Sequence, residues 1–202
     1  MEFFAQILFA LWENKTTGHL LIKNDSVKKE LNLQDGNIAI DKSTLDENAF
    51  LKHLSIKKIL NNSSIKKCED HSRKEKLSIL SSILDLELLS PSRLWKIMEV
   101  FAKGELFFLF DQHSIESSLS SLDTRQNLSP LFVILSIPFI REGIHHMENF
   151  SLIDSYIPDD IKTLQALSPA HKEAIILEPH EEYLLHNLGQ KNDLQSLLSS
   201  SL

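Results

Sequence analysis

The chain has a single cysteine, Cys68, in 202 residues, so it has no internal disulfide. A lone thiol fits a reducing compartment better than a secreted setting, and the expected location is cytoplasmic. Glycine is scarce too, at five residues. Five scattered glycines build neither a P-loop nor a G-x-G-x-x-G turn, which need glycine at fixed spacing so that backbone N–H groups can approach a phosphate. No G-x-S-x-G elbow occurs, which removes the usual hydrolase serine. No apolar run approaches the ~20 residues of a membrane span; the longest, Leu131–Ile140 (LFVILSIPFI), is about half that and is expected to be a buried helix. The apolar N-terminus places Glu2 ahead of its apolar run and has no basic segment, which speaks against a secretory signal.

Positive charge is in deficit: 21 Lys and Arg stand against 28 Asp and Glu, for a net charge of −7. The charge is uneven, −3 over residues 1–51, +5 over 52–76, −1 over 77–110 and −8 over 111–202. An acidic total disfavours nucleic acid, whose affinity comes largely from neutralised phosphates. The basic segment contains Lys57, Lys58, Lys66, Lys67, Arg73 and Lys74. It has no interleaved aromatics to stack bases on. It reads either as a solvated helix face or as a docking surface for an acidic protein, and these six residues are the candidate partner-binding set.

What is present supports a folded core. Hydrophobic residues make up 42% of the chain, and heavy use of leucine and serine leans toward helices joined by polar loops. Phe3, Phe4, Ile7, Leu8 and Leu11 share a helical face, predicting a helix over 3–13. From Thr16 to Ile40 the apolar residues follow a period of two: Leu20 and Ile22, then Leu31 and Leu33, then Ile38 and Ile40. Asn24-Asp25 and Asp35-Gly36 separate these runs, and Asp-Gly is a strong hairpin signal because Gly accepts positive φ. Three antiparallel strands are expected. A helix follows, with Ser43 or Thr44 as N-cap, Asp46 and Glu47 in its first turn, and Ala49, Phe50 and Leu54 on its inner face.

Residues 61–76 are highly polar and read as either a solvated helix or a loop, and they are the best linker candidate. Leu77, Leu80, Ile83, Leu84 and Leu88 then have helical spacing. Ser90-Pro91 supplies an N-cap and an N1 proline for the next helix, with Gly104 expected at its C′ position. Residues 104–111, GELFFLFD, read as a strand and residues 112–128 as a serine-rich loop. Ser129-Pro130 reads as the start of a helix to about 147, kinked at Pro138. Short helices are expected over Glu178–Leu188 and Asp193–Ser200. No repeat of 20–50 residues is present.

The chemistry-bearing residues do not form a constellation. His145 and His146 are adjacent, and on a helix they point about 100° apart. His180 and His186 are six apart, not the i, i+4 of an HExxH zinc helix. No metal site and no cofactor are expected. Lys66 and Lys67 beside Cys68 could lower its pKa, but no partner histidine or motif makes it a nucleophile. Asp159-Asp160 reads as a turn and cap, since adjacency alone does not make an acid/base pair. The final helix, read as a recognition helix, has no Lys or Arg over Asn192–Ser200 for phosphate contacts.

Thr17, Gly18, Leu20, Ile22, Leu31, Leu33, Asp35, Gly36 and Ile38, with the helix containing Phe50 and Leu51, resemble the PATAN family. This is the N-terminal domain type of a cyanobacterial heterocyst-patterning response regulator, a domain widespread in bacterial signalling proteins. Leu89-Ser90-Pro91 with Leu94-Trp95, followed by Gly104 to Phe110, resembles that family's helix and G-x-f-x-F strand. Ile140-Arg141-Glu142-Gly143-Ile144 is similar to its I-x-E-G-I-R segment, with His145 where an Arg is usual. Glu181 to Leu202 resembles its terminal E-x-x-L-L unit. The resemblance implies regulation through protein contacts without catalysis, and for some members adaptor roles at pilus and motility machinery.

The expected fold is α+β: a small antiparallel β-meander with flanking helices, then a helix-rich part with a short strand and a terminal helical pair. The expected parts are 1–60, 61–128 and 129–202, the last free to pack as one domain with the rest. The expected function is a non-enzymatic adaptor in bacterial signal transduction whose partner is another protein, with self-association open and no membrane insertion. A winged-helix-like nucleic-acid binder and a small enzyme of unrecognised type stand as alternatives.

Overall fold

A computed structural model of the chain describes residues 3–42, 44–121, 130–149, 152, 178–179 and 181–182. It divides into two compact units, Met1–Ser136 and Ile137–Leu202. The expected helix at the N-terminus is α1 (Phe4–Glu13), which buries Phe4, Ala5, Ile7 and Leu8 along one stripe. Asn14 ends it, its side chain donating to Ala10 O at 2.8 Å. The meander follows as β1 (Gly18–Lys23), β2 (Lys28–Gln34) and β3 (Asn37–Ile40). Asn24 Oδ1 closes the first turn by accepting from Ser26 N and Val27 N at 2.9 and 2.8 Å. Asp35 and Gly36, at φ 50° and 77°, close the second. Two successive positive φ angles are the requirement of a type I′ hairpin turn, so the Asp-Gly pair shapes the backbone here.

Two further strands complete the sheet. β4 (Glu116–Ser120) pairs antiparallel with β1, and β5 (Phe132–Ile134) pairs antiparallel with β3, giving the order β4-β1-β2-β3-β5. The register sets Leu20 opposite Leu31, Leu33 opposite Ile38, Ile38 opposite Ile134 and Ile40 opposite Phe132. All seven are buried, so period-2 alternation places them on one face of the sheet. The expected boundaries at 60/61 and 128/129 cut across this sheet, since β4 comes from the second expected part and β5 from the third.

Helices α2 (Glu47–Ile56), α3 (Asn62–Glu75), α4 (Ile79–Asp85) and α5 (Pro91–Phe107) lie between β3 and β4, and α5 continues into a 3-10 turn, Phe108–Asp111. Side-chain N-caps explain where each helix starts: Asp46, Asn61, Ser78 and Ser90 accept backbone N–H groups of the first turn. Phe50 and Phe101 meet edge to face with centroids 5.3 Å apart, and Phe4 and Phe110 do so at 5.1 Å. Among the described residues no helix is long and apolar enough to cross a membrane. The fold is α+β, as expected.

Several local expectations are corrected. The cap of α2 is Asp46; Thr44 instead bonds back to Asp41, accepting its N–H and donating its own N–H to Oδ1, both at 2.9 Å. Of the two alternatives for residues 61–76 the helix is the one found, over 62–75; with Cys68 fully buried, the stretch is not the linker it was a candidate for. Gly104 is interior to α5, and residues 104–111 are helical and 3-10 rather than a strand. Leu106, Leu109 and Phe110 fall at i, i+3 and i+4 and all point into the core. The expected loop at 112–128 contains β4. The expected helix from 130 is β5 followed by α6 (Ser136–His145). Pro138 therefore lies in the first turn of α6, where its missing N–H has no partner to lose and no kink results. The expected Asp193–Ser200 helix and most of Glu178–Leu188 lie outside the described residues; 179, 181 and 182 are helical.

Candidate functional site

The six candidate residues lie on α3 and on the turn before it. Lys57 caps the C-terminus of α2, its N–H donating to His53 O at 2.9 Å, and Lys58 turns the chain at φ 54°. Ser55 Oγ donates to Asn62 Oδ1 at 3.2 Å across that turn. Asn61 then starts α3 by accepting from Ser64 N at 2.8 Å. Lys76 ends it in the left-handed region, while Ser72 Oγ donates to Leu77 O at 2.7 Å. Arg73 and Lys74 occupy the last turn, where positive charge suits the helix dipole.

Cys68 anchors the inner side of α3, fully buried with Sγ 3.7 Å from Ile79 O. Lys66, Lys67, Arg73 and Lys74 are exposed on the opposite side. Arg73 meets Asp70 at 3.7 Å and Lys74 meets Glu75 at 3.2 Å. Both pairs are largely exposed and worth little, so neither ties down its cation. Lys57, Lys58, Lys66 and Lys67 make no ion pair among the described residues. The structure thus brings four of the six together on one helix face and sets the other two on the adjoining turn.

The neighbouring lysines do not activate Cys68. Burial pushes its thiol up to about 11, and the Glu69 and Glu47 carboxylates add to the shift. Such a thiol stays protonated at neutral pH, which removes the thiolate route. Glu47 itself bridges helices: it opens α2, and its Oε2 accepts Ile79 N at 2.8 Å at the start of α4. On α2, His53 meets the Phe101 ring at a tilt, with centroids 5.2 Å and planes 59° apart, and burial, with Lys57 nearby, lowers its pKa.

The sequence did not disclose a polar relay on the other face of the sheet. The register sets His19 opposite Asn32, and Asn32 is buried. Asn32 Nδ2 donates to Asp41 Oδ2 at 2.8 Å, so its Oδ1 accepts from His19 Nδ1 at 2.5 Å. These bonds satisfy the buried amide on both sides and fix the imidazole tautomer. The signal was a polar residue at a middle position of a strand, readable only once the strand register is known.

A cleft of about 640 Å³ opens at the tip of the first hairpin. Lys23 and Glu116 face each other across β1 and β4 at 2.9 Å, and each steadies the other's charged form: the Lys23 pKa rises and the Glu116 pKa falls. Asn24 Nδ2 donates to Gln112 Oε1 at 3.2 Å. The two facing charges of the wall are thus paired, and Asn24 ties the hairpin tip to Gln112. Among the described residues no group of three or more His, Cys, Asp or Glu is arranged to hold a metal ion. His180 and His186 lie outside them.

Within the second unit, two motif segments meet. Arg141 and His145 stand one turn apart on α6. Arg141 Nε donates to Glu181 Oε1 and Oε2 at 3.1 and 3.2 Å, Nη2 lies 2.9 Å from Oε2, and His145 Nε2 lies 3.4 Å from Oε1. Glu178 N also donates to Glu181 Oε2 at 2.7 Å. Hydrogen bonds from Arg141 and from the Glu178 backbone hold the Glu181 carboxyl down to about 2. Because the folded pKa lies below the ordinary carboxylate value of 4.5, this contact stabilises fully above that value and is lost as pH falls toward 2. In a side-chain NMR titration, Glu181 should still be ionised well below pH 4.5, and Arg141→Met should raise its midpoint toward the ordinary range, with the Glu178 backbone bond keeping part of the depression. An ordinary midpoint in the unaltered chain would refute the contact.

Comparison of the chain with family models, with curated proteins and with solved structures gave no match.

Proposed function

We propose that the chain is a non-catalytic protein–protein interaction module of PATAN type, working as an adaptor in bacterial signalling and docking an acidic partner on the outward face of α3. The observation that carries this reading is a helix capped by Asn61 and seated through the buried Cys68, which holds Lys66 and Lys67 exposed and, among the described residues, without ion pairs. Cations placed this way cost no internal ion pair to redirect, and they raise encounter rates with an acidic surface. The order of the motifs along the chain supports the family reading, and through it a role near motility or pilus machinery. The acids Glu69, Asp70 and Glu75 share α3 with the lysines and favour a protein over a polyphosphate.

Crosslinked capture from the native host, using the full chain and the Lys66→Glu/Lys67→Glu variant, tests the proposal. A specific partner should be recovered by the unaltered chain and lost with the variant. Recovery of abundant chaperones alone, or of the same partner by both chains, would overturn it. Binding of duplex DNA that collapses with added salt would instead point to a nucleic-acid protein.

A further inference from the structure

We infer that the occupant of the α3 face is an acidic α-helix of another protein, one with carboxylates seven residues apart. The inference rests on the docking reading above and concerns the shape of the partner. Lys66 and Arg73 are seven residues apart on α3, and so are Lys67 and Lys74. Seven residues make nearly two turns, so each pair lies in a row along the helix with its members about 10 Å apart. The two rows flank a polar strip containing Ser63 and Asp70, both exposed. The surface is therefore two parallel charge rows with a fixed repeat and no apolar seam between them.

That repeat discriminates between kinds of acidic chain. A helix with Asp or Glu at i and i+7 offers carboxylates at the same ~10 Å spacing along one side. An extended strand offers same-face residues about 7 Å and then about 13 Å apart, and matches neither. A nucleic-acid backbone presents phosphates more densely than either row. Among the described helices of this chain, none carries two acids seven residues apart, so none of them in a second copy matches the repeat. Without an apolar seam, association should be fast, weak and strongly reduced by salt.

Fluorescence anisotropy with the full chain tests this. The probes are two labelled, helix-forming peptides of identical composition in an Ala/Gln background. One has glutamates at i and i+7 in two rows; the other has the same glutamates moved off that repeat. At low salt the heptad peptide should bind about tenfold more tightly, the equivalent of two or three additional exposed ion pairs. Lys66→Glu/Arg73→Glu, which removes one of the two rows, should reduce the preference severalfold, whereas Lys96→Glu on α5 should leave it intact, with circular dichroism confirming helix content in each variant. Equal binding of both peptides, or of neither, would overturn the helical partner. If host capture were still lost in Lys66→Glu/Lys67→Glu, the docking surface would stand and only the partner's shape would be wrong. A preference undiminished by loss of the row would overturn the inference as well, as would stronger binding of a duplex DNA competitor.

Discussion

Replacing Gly36 with alanine should destabilise the first unit by on the order of 3 kcal/mol, combining overpacking with a left-handed residue that bears a Cβ. Gly36 sits at φ +77°, and a Cβ there would lie 2.4 Å from Trp12 Cα and 2.7 Å from Leu11 O. Both are backbone atoms, so no side chain can swing away, and α1 would have to move off the hairpin. Movement is resisted on several sides. Gly36 N donates to Thr16 O at 2.7 Å. Asp35 N donates to Thr17 Oγ1 at 2.9 Å, and the buried Ser136 donates through Oγ to Gly36 O at 2.7 Å. Urea unfolding of Gly36→Ala beside Gly104→Ala makes the comparison internal. A Cβ at Gly104 meets nothing within 4 Å, so that helix-interior change should stabilise by up to about 1 kcal/mol. Equal midpoints for the two variants would refute the packing of α1 against this turn.

The meander could be read from the sequence because its two signals are local: a period of two in the apolar residues, and a turn residue that tolerates positive φ. β4 has neither. Its residues, Glu-Ser-Ser-Leu-Ser, are all exposed, so no alternation exists to read, and the strand forms because β1 has a free edge to pair with. The 104–111 segment hides its period for the opposite reason: Leu106 to Phe110 are apolar at every position, so helix and strand spacing cannot be told apart. A kink at Pro138 follows only if the helix starts at residue 130, six residues too early; with the start at Ser136 the same residue is a normal first-turn proline. The basic residues of the candidate site were visible as composition. Their grouping into rows was not, because it depends on residues 62–75 being one continuous helix. The His19–Asn32–Asp41 relay was further out of reach, since it requires the register of β1 against β2.

Phe4→Ala and Phe110→Ala should each cost about 3–5 kcal/mol, and the double variant should cost clearly less than their sum. Phe4 is fully buried and Phe110 nearly so. Their rings meet edge to face at 5.1 Å with planes 73° apart. Each ring therefore forms part of the wall against which the other packs. Removing one leaves a cavity that the remaining ring can partly enter, and removing the second then forfeits contacts already lost. Edge-to-face geometry adds about 0.5–1.5 kcal/mol beyond area burial, and that portion is counted twice when the single costs are summed. The cycle also tests the chain path after α5. Were residues 104–111 a strand, Phe110 would alternate with its neighbours across a sheet and would not follow Leu106 and Leu109 along a helical stripe toward α1. A coupling energy near zero in urea unfolding would separate the two rings and remove the 3-10 turn as the seat of the N-terminal helix. A coupling of about 1 kcal/mol or more would place them in contact.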